Sequence, residues 1–415
     1  MRIIVWGINY APELTGIAPF NAGLCEDLRR RGHTVEMITG FPYYPRWEKA
    51  PGDRGRLHRR EEINGVPVYR CWQYVPRRVT TLRRIAHELT FGLGSLLRVL
   101  LRPAADVYIV VSPPLILGPL ASLLCRLKRR PYVFHVQDLQ PDAAVGLGMV
   151  KPGLFTRLLY RVEAWAYRDA AAVSGISDGM MQAFAAKGVP ESKRWLFPNW
   201  IRGGVSAAAS ERCAAAAAFR AKYGIPAGCF LASYSGNLGR KQGLETLVEA
   251  VARLDARPAG APEIQVLLVG DGAMRETLAA QVRAKGMTGL RMLPLLDETD
   301  YQGMLAASDV SLIVQSPGTG QYFFPSKLLS ILTAGCPVLS VADDDSELAK
   351  AVADGAFGRN VRPADPTALA QALEELAADP AALAQLRRRT AWVERFSAAR
   401  VLTEFEARLS RLLRG

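Results

Sequence analysis

The chain lacks any paired-cysteine motif. Its six cysteines, Cys25, Cys71, Cys125, Cys213, Cys229 and Cys336, are scattered without CxxC or CxxH spacing, which argues against a zinc site or a disulfide framework and fits a reducing cytoplasm. No secretory leader is expected: after Arg2 the chain runs directly into an apolar strand, with no basic region followed by an apolar core and cleavage site. No apolar run is long enough and clean enough to span a bilayer. Residues 107–125 hold no charge, but Pro113, Pro114 and Pro119 divide them into a buried strand, a turn and a core helix from Leu117. The first turn, Gly7 through Gly16, lacks GxGxxG, so a dinucleotide fold is poorly supported. Basic charge is present without a nucleic-acid motif or interleaved aromatics, which argues against nucleic acid as a partner.

What is there is a long, well-filled chain. At 415 residues and 49% hydrophobic it suits two domains of about 200 residues each. The net charge of +13 is uneven: residues 1–200 carry 28 Lys and Arg against 16 Asp and Glu, and the remainder 24 against 23. The N-terminal half therefore holds the positive field, suited to anionic lipid or a pyrophosphate-bearing substrate. Within it, residues 80–101 set Leu89, Phe91, Leu93, Leu96, Leu97, Val99 and Leu100 among Arg77, Arg78, Arg83, Arg84 and Arg98. That pattern reads either as a helix lying on anionic lipid or as a helix packed on the sheet with a solvated basic end.

Strand and helix patterns alternate almost throughout, which predicts α/β architecture with parallel, doubly wound sheets. Residues 1–200 form one Rossmann-like domain and residues 227–396 a second that faces it. Between them lies an Ala-rich linker, 201–226. Residues 397–415 carry apolar side chains at helical spacing and are expected to pack back across the joint.

Three stretches bear chemistry. YFFPSKLLSILTAGCPV, residues 322–338, sets a Pro-Ser-Lys turn against a helix start, where unpartnered N–H groups and the dipole favour a diphosphate near Ser326 and Lys327. Residues 235–243, SGNLGRKQG, form a strand end, a loop with Gly236, Asn237, Arg240 and Lys241, and a helix start: a second phosphate clamp. Residues 268–272, LVGDG, place Gly270 and Gly272 at another strand end and helix start, and Gly270 is read with the donor-binding residues. Gly16 suits close approach of a phosphate. His33 reads as a helix-end residue, and Asp343, Asp344 and Asp345 read as a cap for the next helix rather than as metal ligands.

With the GHTV turn at 32–35, SGNLGRKQGLETL, LLVGDG, LAASDV at 305–310 and FPSKLLSILTAGCPV in this order, the chain resembles the retaining GT-B glycosyltransferases of family four. Within them it is most similar to the exopolysaccharide branch and the colanic-acid-type fucosyltransferases. The resemblance spans nearly the whole chain. It implies a C-terminal domain that holds a nucleotide sugar and an N-terminal domain that presents a lipid-linked saccharide at the inner face of the cytoplasmic membrane. It implies no bound metal and favours GDP-fucose as donor. By the same resemblance Gly16 approaches the donor phosphates, Lys241 or Arg240 is the phosphate cation, and His135 or Asp138, in HVQDLQPD, lines the transferred sugar. Family members often carry two glutamates at positions that fall on Tyr322 and Ser330, and both carboxylates are missing here. Ser330 remains able to hydrogen-bond a ribose hydroxyl, more weakly than a charged acceptor would. The rival readings are a sugar-nucleotide epimerase of the same architecture and a non-enzymatic basic protein that binds membranes or polyanions.

Overall fold

The computed structural model describes all residues except 15, 147–152, 202–208, 259, 319–326, 388–390 and 415. The chain divides into two compact units, one formed by Met1–Asn199 with Ala399–Gly415, the other by Trp200–Ala398.

The first unit is built on an eight-stranded sheet. In chain order its strands are β1 (Arg2–Trp6), β2 (Thr34–Gly40), β3 (His58–Ile63), β4 (Val66–Cys71), β5 (Val107–Ser112), β6 (Tyr132–Val136), β7 (Ala172–Gly175) and β8 (Arg194–Leu196). They lie in the order β3-β4-β2-β1-β5-β6-β7-β8, all parallel except β3, which runs antiparallel to β4. The central strands are continuous apolar runs because helices cover both faces; β5, VYIVVS, is buried at every position. The 107–125 tract is thus a strand followed by the helix Leu117–Lys128, as expected. Among the described residues, no helix is long and apolar enough to cross a membrane.

The β3–β4 hairpin is a feature the strand reading did not include. Its turn, Asn64-Gly65, has φ of 49° and 77°, the positive pair that a two-residue hairpin turn demands. The C-terminal helix, Ala398–Leu412, belongs to this unit over nearly its whole length and buries Val401, Leu402, Phe405 and Leu409. Phe405 stacks on Phe197 with ring centres 3.8 Å apart, and Arg31 and His33 bond Thr403 and Glu406 at 2.9 Å each. His33 is accordingly a structural residue, as read.

The second unit holds six parallel strands: β9 (Phe230–Asn237), β10 (Ile264–Asp271), β11 (Leu290–Leu293), β12 (Val310–Val314), β13 (Val338–Val341) and β14 (Gly358–Val361). Their order is β11-β10-β9-β12-β13-β14. The expected linker differs from expectation: Ala209–Lys222 is a helix of this unit, with Phe219 buried against its core, so that part of the segment is not a free connection. Its alanines hide a helix because small side chains give little periodic contrast.

Each sheet has a point where the chain reverses its direction of growth, between β1 and β5 in the first unit and between β9 and β12 in the second. Open α/β sheets bind ligands at the carboxyl ends of strands beside such a point. The loop carrying Gly16 follows β1, and the loop carrying Arg240 and Lys241 follows β9.

Candidate functional site

In the second unit, the ends of β9 and β10 approach too closely for side chains. Gly236, Gly270 and Gly272 have φ of 149°, 148° and 153°, a region that glycine occupies almost alone. A Cβ on Gly270 would sit 1.9 Å from the Gly236 carbonyl oxygen, and one on Gly272 would sit 2.6 Å from the Leu238 carbonyl oxygen. The approach is stitched by Leu238 N–H to the Asp271 carbonyl and Met274 N–H to the Leu238 carbonyl, both 2.8 Å. Gly270, read as a donor-binding glycine, is therefore required first by this backbone packing.

From that anchor the chain makes the turn Arg240–Gln242 and ends it on Gly243 in the left-handed region, φ 59°. Ser316, just past β12, clamps the turn: its N–H donates to the Lys241 carbonyl and its hydroxyl to the Arg240 carbonyl, both 2.9 Å. Two loops on opposite sides of the switch point are thereby fastened together, with Asn237 and Arg240 exposed and Lys241 half-buried.

Lys327, at the start of the helix Lys327–Thr333, reaches the same strand ends. Its Nζ lies 3.8 Å from the centre of the Tyr234 ring and donates to the Ser235 carbonyl at 3.3 Å. A Cβ on Gly236 would stand 3.5 Å from that nitrogen. Burial pushes the Lys327 ammonium down from 10.5 to about 7. Ser330, half-buried, follows three residues later, which puts it on the same side of the helix. Tyr322 and Ser326 lie outside the described residues. Tyr234, the aromatic floor under Lys327, was not among the sequence candidates, and nothing in the sequence links positions 93 residues apart.

The acidic run 343–345 has other employment. Asp343 accepts from Gly318 N–H at 2.7 Å, and Asp344 pairs with Arg362 at 2.7 Å. The cap of the next helix is Ser346, whose hydroxyl accepts from Ala349 N–H, rather than an aspartate.

In the first unit, the loop after β1 is organised by Glu13, another residue missed from sequence. Its buried carboxylate accepts from the N–H groups of Tyr43 and Tyr44 at 2.8 and 2.9 Å and from Asn9 at 2.8 Å. Burial raises its carboxyl pKa while these donors oppose the rise. The loops after β1 and β2 are thus one piece. Gly16, exposed with φ 66°, stands beside the Tyr44 ring, which would be 3.6 Å from an added Cβ.

The alternatives His135 and Asp138 part company. His135 is 2% exposed, and both ring nitrogens are engaged: Gln137 Nε2 donates to Nε2 at 2.8 Å, so Nδ1 carries the proton and donates to Ser174 Oγ at 2.9 Å. Gln137 is held in turn by paired amide bonds to Asn199. Burial pushes the imidazole down to about 3, so it stays neutral. Asp138, past the strand end, is exposed, and its charge reaches both Tyr44 and Arg84. The arrangement has His135 holding the end of β6, and Asp138 is the exposed residue of the two.

Four of the arginines around residues 80–101, Arg77, Arg78, Arg83 and Arg84, also divide. Arg77, Arg78 and Arg83 are exposed, whereas Arg84 is half-buried, 3.1 Å from Glu88, which Gln140 also bonds. Arg84 is therefore held by Glu88, and the charge of Asp138 also acts on it. The helix Thr81–Leu100 is apolar on both sides. Its inner face buries Phe91 and Val99, while Leu82, Leu89, Leu93, Leu97 and Leu100 stay exposed, Leu93 and Leu97 at 63% and 62%. Gly92 lets it meet Ile116 and Leu120, and Gly118 in turn brings the next helix against Ala166. The neighbouring helices continue the outward surface with Leu123, Leu127, Leu154, Phe155 and Leu158 among Arg126, Arg157 and Arg161.

Residues 15–200 match the glycosyl transferase 4-like domain, and residues 216–392 match the glycosyl transferases group 1. The chain is 33% identical over 353 residues to the putative colanic acid biosynthesis glycosyl transferase WcaI of Escherichia coli K12, covering 84% of this chain and 85% of that protein. Among solved structures, sucrose-phosphate synthase from Thermosynechococcus elongatus superposes with a TM-score of 0.76 at 18% identity, over 99% of this chain and 98% of that one. HepE from Anabaena, in complex with UDP, gives 0.71 at 17% identity, over 99% and 100%.

Proposed function

The chain belongs to the GT-B glycosyltransferases, with a 4-like domain followed by a group 1 domain, and on that premise we propose that it transfers a sugar from a nucleotide donor to a lipid-pyrophosphate-linked saccharide during exopolysaccharide assembly. What supports this reading is that the loop bearing Arg240 and Lys241, fastened by Ser316, follows β9 at the switch point of the second sheet, and that Lys327 Nζ reaches the end of the same strand at the Ser235 carbonyl. Cations held there can neutralise a departing diphosphate without reorganising, which is where a positioned charge lowers a barrier most. The reading assigns that work to side chains rather than to a bound metal.

The bond from the anomeric carbon to the diphosphate oxygen breaks, and the nucleoside diphosphate leaves with the electron pair. An acceptor hydroxyl oxygen bonds the same carbon on the same face, and its proton passes to the leaving phosphate, so configuration is retained. Gly16 allows the phosphates to come close, Ser326 and Ser330 hydrogen-bond the donor, and Asp138 orients the reacting sugars. GDP-fucose is the favoured donor, by resemblance to the colanic-acid branch.

The outward leucines and cations of the first unit support peripheral attachment to the inner face of the cytoplasmic membrane, where a lipid-linked acceptor would be met. The test is incubation of the protein with a panel of nucleotide sugars and lipid-pyrophosphate saccharides, read by mass spectrometry. A saccharide one sugar heavier, with nucleotide released, is expected; an epimerised donor and no new glycoside would overturn the reading.

A further inference from the structure

We propose that the loop 41–47 of the first unit carries a saccharide-binding platform for the acceptor, made by the exposed face of Tyr44 and edged by Asp138 and Arg84. It rests on the transferase reading and adds the residue that grips the acceptor sugar.

Tyr44 is 41% exposed, yet its backbone is fixed by Glu13 and its ring borders Gly16. Beneath the loop Tyr43, Trp47 and His87 form a tight cluster: ring centres are 5.2 Å apart for Tyr43 and Trp47, 4.5 Å for Tyr43 and His87, and 5.2 Å for Trp47 and His87. His87 donates from Nδ1 to the Tyr74 carbonyl, so the cluster is tied to the next loop as well. Trp47 is held at φ 55°, where a side chain other than glycine's costs about 1 kcal/mol or more. A fold accepts such strain where the surroundings over-determine a loop, and the result is a rigid mount for one outward aromatic ring.

The chemistry around that ring selects the ligand. Partial burial raises the Tyr44 phenol pKa, Arg84 opposes the rise, and the carboxylates of Asp138 and Glu13 add to it. A flat apolar face beside one carboxylate and one guanidinium matches a pyranose. The C–H face of the sugar covers the ring, and its hydroxyls donate to Asp138 and accept from Arg84. The cations assigned to the diphosphate, Arg240, Lys241 and Lys327, belong to the second unit, so this platform of the first unit is assigned to the acceptor.

The experiment is saturation-transfer NMR on the full chain with methyl glycosides of glucose, galactose, mannose and fucose and their disaccharides as probes, and GDP and UDP as controls. Wild type is expected to saturate one C–H face of a bound sugar. Tyr44→Ala should weaken that binding at least about tenfold and Tyr44→Phe by no more than about twofold, with nucleotide binding and Tm unchanged. Absence of saccharide binding in wild type, unchanged binding in Tyr44→Ala, or loss of nucleotide binding in its place would each overturn the proposal. The two readings separate cleanly. Saccharide binding without sugar transfer removes the transferase reading alone, and full-rate transfer by Tyr44→Ala removes the platform alone.

Discussion

The Nζ of Lys327 lies 3.8 Å above the centre of the Tyr234 ring, and burial there brings its pKa to about 7. The folded value lies below the unfolded 10.5, so between those values the unfolded chain holds the extra proton and the stability of the free protein rises with pH. A bound diphosphate needs the charged form. Donor affinity should therefore be greatest below pH 7 and fall by up to about tenfold per unit as pH rises above it. Calorimetric titration of donor across pH 6–9 checks this, and Lys327→Met should flatten both the affinity slope and the stability slope.

Gly270→Ala and Gly16→Ala should behave differently although both glycines were read as ligand-facing. An alanine at 270 drives a Cβ to 1.9 Å from a carbonyl oxygen, and the loss should be about 3 kcal/mol or more by urea titration, with donor binding lost as the strand ends part. At 16 the Cβ meets only Tyr44 at 3.6 Å, so stability should fall by about 1 kcal/mol while turnover falls more.

His135→Ala should cost about 2–4 kcal/mol of stability, because it strands the Gln137 and Ser174 partners in the interior. Asp138→Asn should leave stability within about 0.5 kcal/mol and cut turnover at least about tenfold. Since His135 stays neutral above about pH 4, the rate profile near neutrality should show no step from it. Unfolding curves and turnover on the two variants separate the roles; equal stability loss in both would contradict the division.

Much of this architecture was legible in the sequence because parallel strands covered on both faces leave unbroken apolar runs, as in β5 and β12. The β3–β4 hairpin escaped because HRREEI is an edge strand whose polar residues carry little apolar signal; Asn64-Gly65 was the available clue. At the site, motif spacing located Lys241 and Lys327 but was blind to depth. It could not tell the buried His135 from the exposed Asp138 three residues on, nor the inward Arg84 from the outward Arg83. Tyr234 and Glu13 act through contacts distant in sequence, and a single sequence holds no record of those.

Attachment to lipid should depend on the outer leucines as well as the outer arginines. Flotation with vesicles containing phosphatidylglycerol should recover wild type, and Leu93→Ser with Leu97→Ser should lower recovery several-fold without lowering Tm, since both side chains are exposed. Neutralising Arg77, Arg78 and Arg83 should weaken flotation mainly at low salt. Arg84 is left out of that set because its loss would unpair Glu88. Recovery equal to wild type in both variants would remove this surface from the account.

The diphosphate clamp is tested most directly by calorimetric titration of GDP-fucose and UDP-glucose into wild type, Lys241→Ala, Lys327→Ala and Ser330→Ala at pH 6.5. The account predicts binding of at least one donor by wild type, a loss of at least about tenfold in each lysine variant and about threefold or less for Ser330→Ala. Donor binding unchanged in both lysine variants, or a larger loss in Ser330→Ala than in Lys327→Ala, would contradict it.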